Sequence, residues 1–306
     1  MKKVVLAGGS GNLGRLLIPS FVEKGYRVVV LSRSIHNSDQ LSVDYVQWDG
    51  EHAGAWSTVL EGADVLINLS GESVNTRFTA ENKKRLEDSR LLPTKALGRA
   101  IKGLVNPPIS WINFSGISLF QDSYGMHDEQ STRYGSGFLA DLTRHWEDVF
   151  GTIPAPLTKK IVLRLSPVLM KSSGIFAELY PLAKWGLGGK VGSGEQFISW
   201  IHAADFVRII HFLIDQKQAT RSFYHACSPN PVTNAVFMKE LRQSAGMYFG
   251  LPLPTLLAQM GAVVKGVDPS LVFGSTEATT KYLLDDGFEF KYAYIHDAFR
   301  QLIKST

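Results

Sequence analysis

The segment Gly8-Gly9-Ser10-Gly11-Asn12-Leu13-Gly14 gathers more residues suited to chemistry than any other part of this chain. Glycines at positions 8, 11 and 14 let the backbone turn sharply, bring its N–H groups out to a ligand, and keep side chains from separating the following helix from the preceding strand. Amides at a helix N-terminus carry partial positive charge, and the chemistry they suit is the grip of a phosphate or diphosphate. Such a turn works only between the right elements. Residues 3–7 read as a short buried strand, and residues 12–24 as a helix with Leu13, Leu16, Leu17 and Phe21 on one side and Gly25 as its stop. Strand, turn and helix together predict a dinucleotide-binding turn made by Gly8, Gly9, Ser10, Gly11, Asn12, Leu13 and Gly14.

A dinucleotide fold that prefers NAD places an acid at the end of the second strand, about 20 residues on, to accept hydrogen bonds from the ribose 2′-hydroxyl. Ser32-Arg33-Ser34 stands there instead. A guanidinium fork flanked by hydroxyls suits a 2′-phosphate, so NADP(H) is favoured over NAD(H); the plainer alternative for Arg33 is a solvated loop cation. Asp49, after the third strand, can accept from an adenine amino group or cap a turn.

Further strands are expected at residues 27–31, 43–48, 64–69, 109–115 and 160–166, compact apolar runs that can be buried on both faces, with amphipathic helices in the gaps. That alternation predicts an α/β chain with a Rossmann-like, doubly wound parallel sheet. Beyond Ser166 the pattern gives way to Pro167, Pro181 and the glycine-rich stretch 186–194. One helix is expected after His202, another after Thr233-Asn234, and a last one over residues 293–303 with an apolar face that docks. The expected organisation is a nucleotide-binding domain of residues 1–170 and 203–226, and a smaller, mainly helical C-terminal substrate lobe of residues 171–202 and 227–306. Leu251, Leu253, Leu256 and Leu257 are expected to pack into a core, with a partner-docking surface as the alternative.

Composition narrows the function. The 306 residues are 44% hydrophobic and 20% charged, the balance of a soluble globular chain rather than a disordered or collagen-like one. Cys227 is the one cysteine and cannot close an intrachain disulfide; with no Cys/His cluster at ligand spacing, no metal is expected and the cytoplasm is the expected compartment. The opening apolar run is too short for a signal peptide, and no run of about 18 apolar residues suggests a membrane span. Thirty-two basic and 28 acidic residues are interspersed, so no nucleic-acid partner is expected and a small-molecule substrate is. The oligomeric state is left open.

Several separated segments add a resemblance. The glycine turn, Asn68-Leu69-Ser70-Gly71, Ser115 and Trp200-Ile201-His202-Ala203-Ala204-Asp205 resemble the extended short-chain dehydrogenase/reductase superfamily. Asn68-Leu69-Ser70-Gly71-Glu72, Asp88-Ser89-Arg90, Phe138-Leu139-Ala140-Asp141, Gly192-Ser193-Gly194-Glu195-Gln196, Ser199-Trp200-Ile201-His202, Asn230-Pro231-Val232-Thr233-Asn234 and Gly287-Phe288-Glu289-Phe290 narrow it to the atypical epimerase-family proteins of the NAD-dependent epimerase/dehydratase superfamily, commonly labelled sugar-nucleotide epimerases. The resemblance spans nearly the whole chain. It implies that Asn68, Leu69, Ser70 and Gly71 join the cofactor site, that Pro167 packs beside the nicotinamide, and that the chain is an oxidoreductase or epimerase acting on a sugar-nucleotide-like or other polar carbonyl or alcohol substrate.

One departure bears on the reaction. The superfamily's Tyr-x-x-x-Lys pair, which carries the proton, aligns here with Leu139 and Thr143, and Arg90 stands where a relay asparagine would be. Leucine cannot carry a proton, so a non-catalytic NADP(H)-binding sensor or scaffold is the rival reading. Tyr180-Pro181-Leu182-Ala183-Lys184 has the spacing but lies beyond the sixth strand, outside the helix that presents the pair, and reads as coincidence. Ser115 is the retained catalytic candidate, with Ser118 the alternative in register. Arg90 is expected to clamp a substrate or cofactor anion, or to make a structural ion pair. Weaker candidates are Glu72 and Arg77 on the nicotinamide side, a mobile acidic loop holding Asp122, Tyr124, His127, Asp128 and Glu129, and the glycines of 188–194 as an anion cradle. His202 and Asp205 are expected to start and cap a helix, and Trp185, Phe197 and Trp200 to serve as core.

Overall fold

Val4 and Leu6 pack into one hydrophobic cluster while Val5 and Ala7 pack into another, and Val28/Val30 against Val29/Leu31 and Val65/Ile67 against Leu66 repeat the division. Side chains alternate across a strand, so runs apolar at every position require cover on both faces and build a parallel sheet. The computed structural model describes residues 1–34, 41–216 and 221–304. Its sheet joins β1 (Lys3–Ala7), β2 (Arg27–Ser32), β3 (Val43–Gln47), β4 (Val65–Asn68), β5 (Ser110–Gly116), β6 (Lys159–Leu165) and a later strand, Phe223–Ala226. Three two-residue strands intervene in the chain, β7 (Val168–Leu169), β8 (Phe197–Ile198) and β9 (Ile201–His202), so the seventh strand of the sheet is β10; β11 is Val232–Thr233. The order is β10-β6-β5-β4-β1-β2-β3 with every pairing parallel.

Helices cover both faces. α1 (Asn12–Glu23) supplies Leu17 and Phe21 to one side, α2 (Ala80–Lys102) supplies Leu97 and Ile101 to the other, and α3 (Phe138–Thr152) adds Phe150 beside them. The chain continues through α4 (Gly174–Lys184), α5 (Ala203–Asp215), α6 (Asn234–Ser244), α7 (Thr255–Val264), the short α8 (Ser270–Phe273) and α9 (Tyr282–Asp285), and α10 (Ile295–Lys304). α5 lies on the α1 side through Phe206 and Ile210, whereas α4, α6 and α10 share a separate cluster around Trp200, Phe237 and Phe299. From β1 the chain adds β2 and β3 on one side, and it then crosses back to place β4 on the other side of β1. The strand order therefore reverses between β1 and β4, and a crevice opens beyond their C-terminal ends.

The sheet is Rossmann-like, as the alternation predicts, and strand ends differ from the expected ones by at most one residue. α10 docks through Ile295, Ala298, Phe299 and Leu302, and His202 caps α5 by accepting from the Ala204 amide. Two features differ from expectation. Strand β10 carries His225 at its centre, a polar residue made tolerable inside because its ring nitrogen donates to the Thr279 carbonyl. Leu251, Leu253, Leu256 and Leu257, expected in a core, are 53%, 39%, 68% and 53% exposed.

His211 ties α5 to α1. Because the Ser20 hydroxyl donates to the Leu17 carbonyl, the His211 Nε2–H donates to Ser20 at 3.0 Å. Burial, helped by Lys24, pushes the imidazole down to about 4 from an ordinary 6.5. The unfolded chain thus takes up this proton first, and the associated stability is intact above pH 6.5 and lost as the pH falls toward 4. Thermal midpoints are expected to decline through that window and the decline to be shallower in His211→Phe; superimposable profiles would assign it to other groups.

Candidate cofactor cleft

The turn after β1 is built as its glycines require. Gly8 has φ +74°, and Gly14 comes so close to Gly9 that a Cβ on it would lie 1.9 Å from the Gly9 carbonyl oxygen. Gly11 caps α1 without any side-chain hydrogen bond, so no side chain competes for the amides of the first turn. Against Gly8 stands Ser70, whose buried Oγ has no hydrogen-bond partner among the described residues. An unpaired buried hydroxyl beside a helix N-terminus is a group with room for an anion.

These residues open onto a cleft of about 620 Å³ lined by the turn, by Ser32 and Arg33 at the end of β2, by Asp49 after β3, and by Leu69, Ser70 and Gly71 after β4. Ser32 Oγ lies 3.2 Å from Ser10 Oγ, linking the two loops. Asp49 is engaged as a turn cap: its Oδ1 accepts from the Glu51 and His52 amides, its Oδ2 is 2.7 Å from His52 Nδ1, and these bonds, the Glu51 amide foremost, hold its carboxyl down to about 2. The far wall is one face of α2, with Arg85, Asp88, Ser89, Leu92 and Pro93, which sequence reasoning did not assign to the site. Their spacing of three or four residues was the available signal.

Other expected site residues do not line this cleft. Gly9 packs on Leu6, and Asn68 is wholly buried, donating to Asn113 and Thr94 while its Oδ1 accepts from the Ser70 amide. Asn68 therefore sets the orientation of Ser70. Pro167 accepts from the Ile201 amide as β6 passes to β7. Arg90 makes no direct ion pair among the described residues: it donates to the Glu72 and Leu86 carbonyls, lies over the Trp146 ring, and is held down to about 10 chiefly by burial, so it stays cationic at neutral pH.

Ser115 is buried, and its hydroxyl donates to Glu147 at 2.5 Å; Glu147 in turn holds Arg164 through two bonds of 2.8 and 2.7 Å. Ser118 faces Thr143 at 2.8 Å. Thr143 already donates to the Leu139 carbonyl, so the Ser118 proton points to Thr143. Both serines commit their protons inward. Leu139 is nearly buried, and the Tyr180/Lys184 pair sits on α4 rather than α3.

Two expectations change. The segment 122–129 is stitched rather than mobile: Asp122 exchanges bonds with Ser275, His127 donates to the Glu277 carbonyl, and buried Glu129 accepts from the amides of His225, Lys281 and Tyr282. The glycine-rich stretch is a connector, because the amides of Gly189, Val191 and Gly192 already donate to Leu251, Asn234 and Leu253. Glu72 reaches the cleft, whereas Arg77 donates to the Val263 carbonyl on α7.

No family model matches the chain. Epimerase family protein SDR39U1 of Bos taurus is 26% identical over 98% of this chain and 99% of its own length. Epimerase family protein YfhF of Bacillus subtilis is 28% identical over 98% and 97%. Along its whole length the chain is thus similar to epimerase-family proteins, and its fold is that of the extended short-chain dehydrogenase/reductases. Among solved structures, human epimerase family protein SDR39U1 with NADPH superposes with a TM-score of 0.87 at 24% identity, covering 99% of this chain and 100% of that one. A nucleoside-diphosphate sugar epimerase from Corynebacterium glutamicum gives 0.74 at 27% identity, over 98% of this chain and 58% of that one. Among the described residues no cluster of His, Cys, Asp or Glu could hold a metal, and no helix is long and apolar enough to cross a membrane.

The Gly14 contact yields a direct expectation. Gly14→Ala forces α1 away from the turn, at a cost of about 1–3 kcal/mol in folding stability and at least about tenfold in nucleotide affinity. Unfolding in urea and titration calorimetry would measure both, and wild-type affinity in the variant would contradict the geometry.

Proposed function

We propose that the chain binds NADP(H) and acts as an oxidoreductase or epimerase on a sugar-nucleotide-like or other polar carbonyl or alcohol substrate. The observation that carries this is the convergence on one cleft of the glycine turn, the unpaired Ser70 hydroxyl and the Arg33 guanidinium. The human relative crystallised with NADPH supports the cofactor.

In this reading the amides of Ser10, Asn12, Leu13 and Gly14, which the turn's own bonds from Gly8, Gly9 and Gly11 leave facing the crevice, and the hydroxyls of Ser10 and Ser70 hold the diphosphate, Arg33 pairs with the 2′-phosphate, and Asp49, Leu69 and Gly71 border the adenosine. Pro167 packs beside the nicotinamide. When bound, the cofactor supplies hydride exchange at a substrate carbon. Residues 1–170 and 203–226 carry the nucleotide, and residues 171–202 and 227–306 cover the substrate. Ser115, its proton given to Glu147, offers lone pairs that accept from a substrate hydroxyl. It therefore suits the alcohol form of the substrate. Arg90 acts through Glu72, whose carbonyl it holds. A single buried thiol, Cys227, fits a reducing compartment, and we place the chain in the cytosol.

One observation favours a second reading. Ser115 and Ser118 direct their protons inward, which accords with the reading of Leu139 and Thr143 in place of the Tyr/Lys pair, and a chain that keeps the cofactor but lacks turnover would act as an NADP(H) sensor or scaffold.

Titration calorimetry separates the cofactors: NADPH is expected to bind at least about tenfold more tightly than NADH, with Arg33→Ala removing most of that difference and changing NADH less than about twofold. Equal affinities, unaltered in Arg33→Ala, would overturn the NADP(H) assignment. Turnover is tested by NADPH oxidation over a carbonyl panel and by NMR of nucleotide-sugar interconversion. An activity abolished in Ser115→Ala supports the enzyme, and tight cofactor binding with every substrate inert supports the sensor.

A further inference from the structure

The wall of the cleft near Arg33 holds a second cation and an acid between the two. Glu72 Oε2 is 2.8 Å from Arg85 Nε, and Glu72 Oε1 is 3.7 Å from an Arg33 terminal nitrogen. One carboxylate thus bridges a guanidinium from the end of β2 and one from the first half of α2. Its backbone is fixed from both sides: the Glu72 amide donates to Ser89 Oγ at 3.0 Å, and the Glu72 carbonyl accepts from Arg90 at 3.0 Å. The two cations are free to re-aim, with side chains 76% exposed for Arg33 and 51% for Arg85, while Glu72 is 30% exposed. Exposed ion pairs of this kind are weak and exchange readily for a stronger anion.

We propose that Glu72 is a built-in competitor for the cofactor's 2′-phosphate, that Arg85 is the second cation of the 2′-phosphate site, and that the balance between them sets the discrimination of NADP(H) from NAD(H). This rests on the NADP(H) reading above. A carboxylate and a phosphate monoester are alternative partners for the same pair of guanidinia. Arg33, Arg85 and Glu72 together carry +1, so a phosphate dianion leaves the cluster at −1; without the carboxylate charge, two cations meet two negative charges and the site is neutral. Glu72 therefore weakens the grip on NADP(H), whereas a ribose that ends in a hydroxyl brings no charge to be repelled. The opposite role is chemically possible for the same side chain: a carboxylate near a ribose can accept from its 2′-hydroxyl and favour NAD(H). The two roles predict opposite signs for one substitution.

The test is calorimetric binding of NADPH and of NADH to the full chain and to Glu72→Gln, Arg85→Ala and Arg85→Lys, each checked for folding by circular dichroism. Glu72→Gln keeps both backbone anchors and is expected to tighten NADPH by about three- to tenfold and leave NADH within about twofold. Arg85→Ala is expected to weaken NADPH by about tenfold without a matching change for NADH, and Arg85→Lys to recover most of that loss. Both NADPH effects shrink as salt is raised. If Glu72→Gln weakens NADH instead, Glu72 is a ribose acceptor and the competitor role is wrong. If neither Glu72 nor Arg85 substitution alters the ratio of the two affinities, the bridge is a surface ion pair and the inference falls while the NADP(H) reading stands. If the wild-type chain binds neither nucleotide, or binds both equally with Arg33→Ala silent, the parent reading falls and this inference with it.

Discussion

The close approach of Gly14 to the Gly9 carbonyl governs the rest of the cleft. It brings the first turn of α1 against the end of β1, so that amides rather than side chains face the crevice where the strand order reverses. A single methyl at position 14 would meet that carbonyl at 1.9 Å, which no ordinary packing adjustment accommodates. Everything assigned to the nucleotide site is placed relative to that contact. Gly8 turns into Ser70, Ser10 reaches Ser32, and the end of β2 delivers Arg33 to the same space.

Beneath the cleft lies a buried polar layer that gives the loops their shape. Asn68 links β4 to β5 through Asn113 and to α2 through Thr94, and the Trp146 indole donates to Thr94 from α3. Farther along β5, Ser115, Glu147 and Arg164 form a second set whose charges are paired and hydrogen-bonded. Buried polar groups are costly when unpaired, and here each bond joins different elements, so the layer fixes which loops meet at the crevice. The same arrangement directs the protons of Ser115 and Ser118 inward. This is why the geometry supports cofactor binding more strongly than it supports any one reaction.

Much of this was legible in the sequence because it is local. The glycine turn, the flanking strand and helix, and the alternating apolar runs each depend on neighbours within a few residues, and they produced the parallel sheet and most of the cleft wall. What was missed depends on distant partners. β10 holds a histidine whose burial is tolerated because its ring donates to the Thr279 carbonyl and faces Arg164, and Glu129 is anchored by amides about a hundred or more positions away. Arg85 joins the cleft because of where α2 packs, and Glu72 because Ser89 and Arg90 hold its backbone. The glycines of 188–194 resembled an anion cradle by composition alone; their amides were already used by residues 251–253 and Asn234.

The account stands or falls on backbone amides at the start of α1 gripping a diphosphate. Hydrogen–deuterium exchange, followed residue by residue as NADPH is added to saturation, reads those amides directly. Slowed exchange at residues 10–14, extending to residues 70–72, is the predicted result. NADPH that binds while these amides exchange at their original rates would contradict the account, and so would a chain that takes up no nucleotide at all.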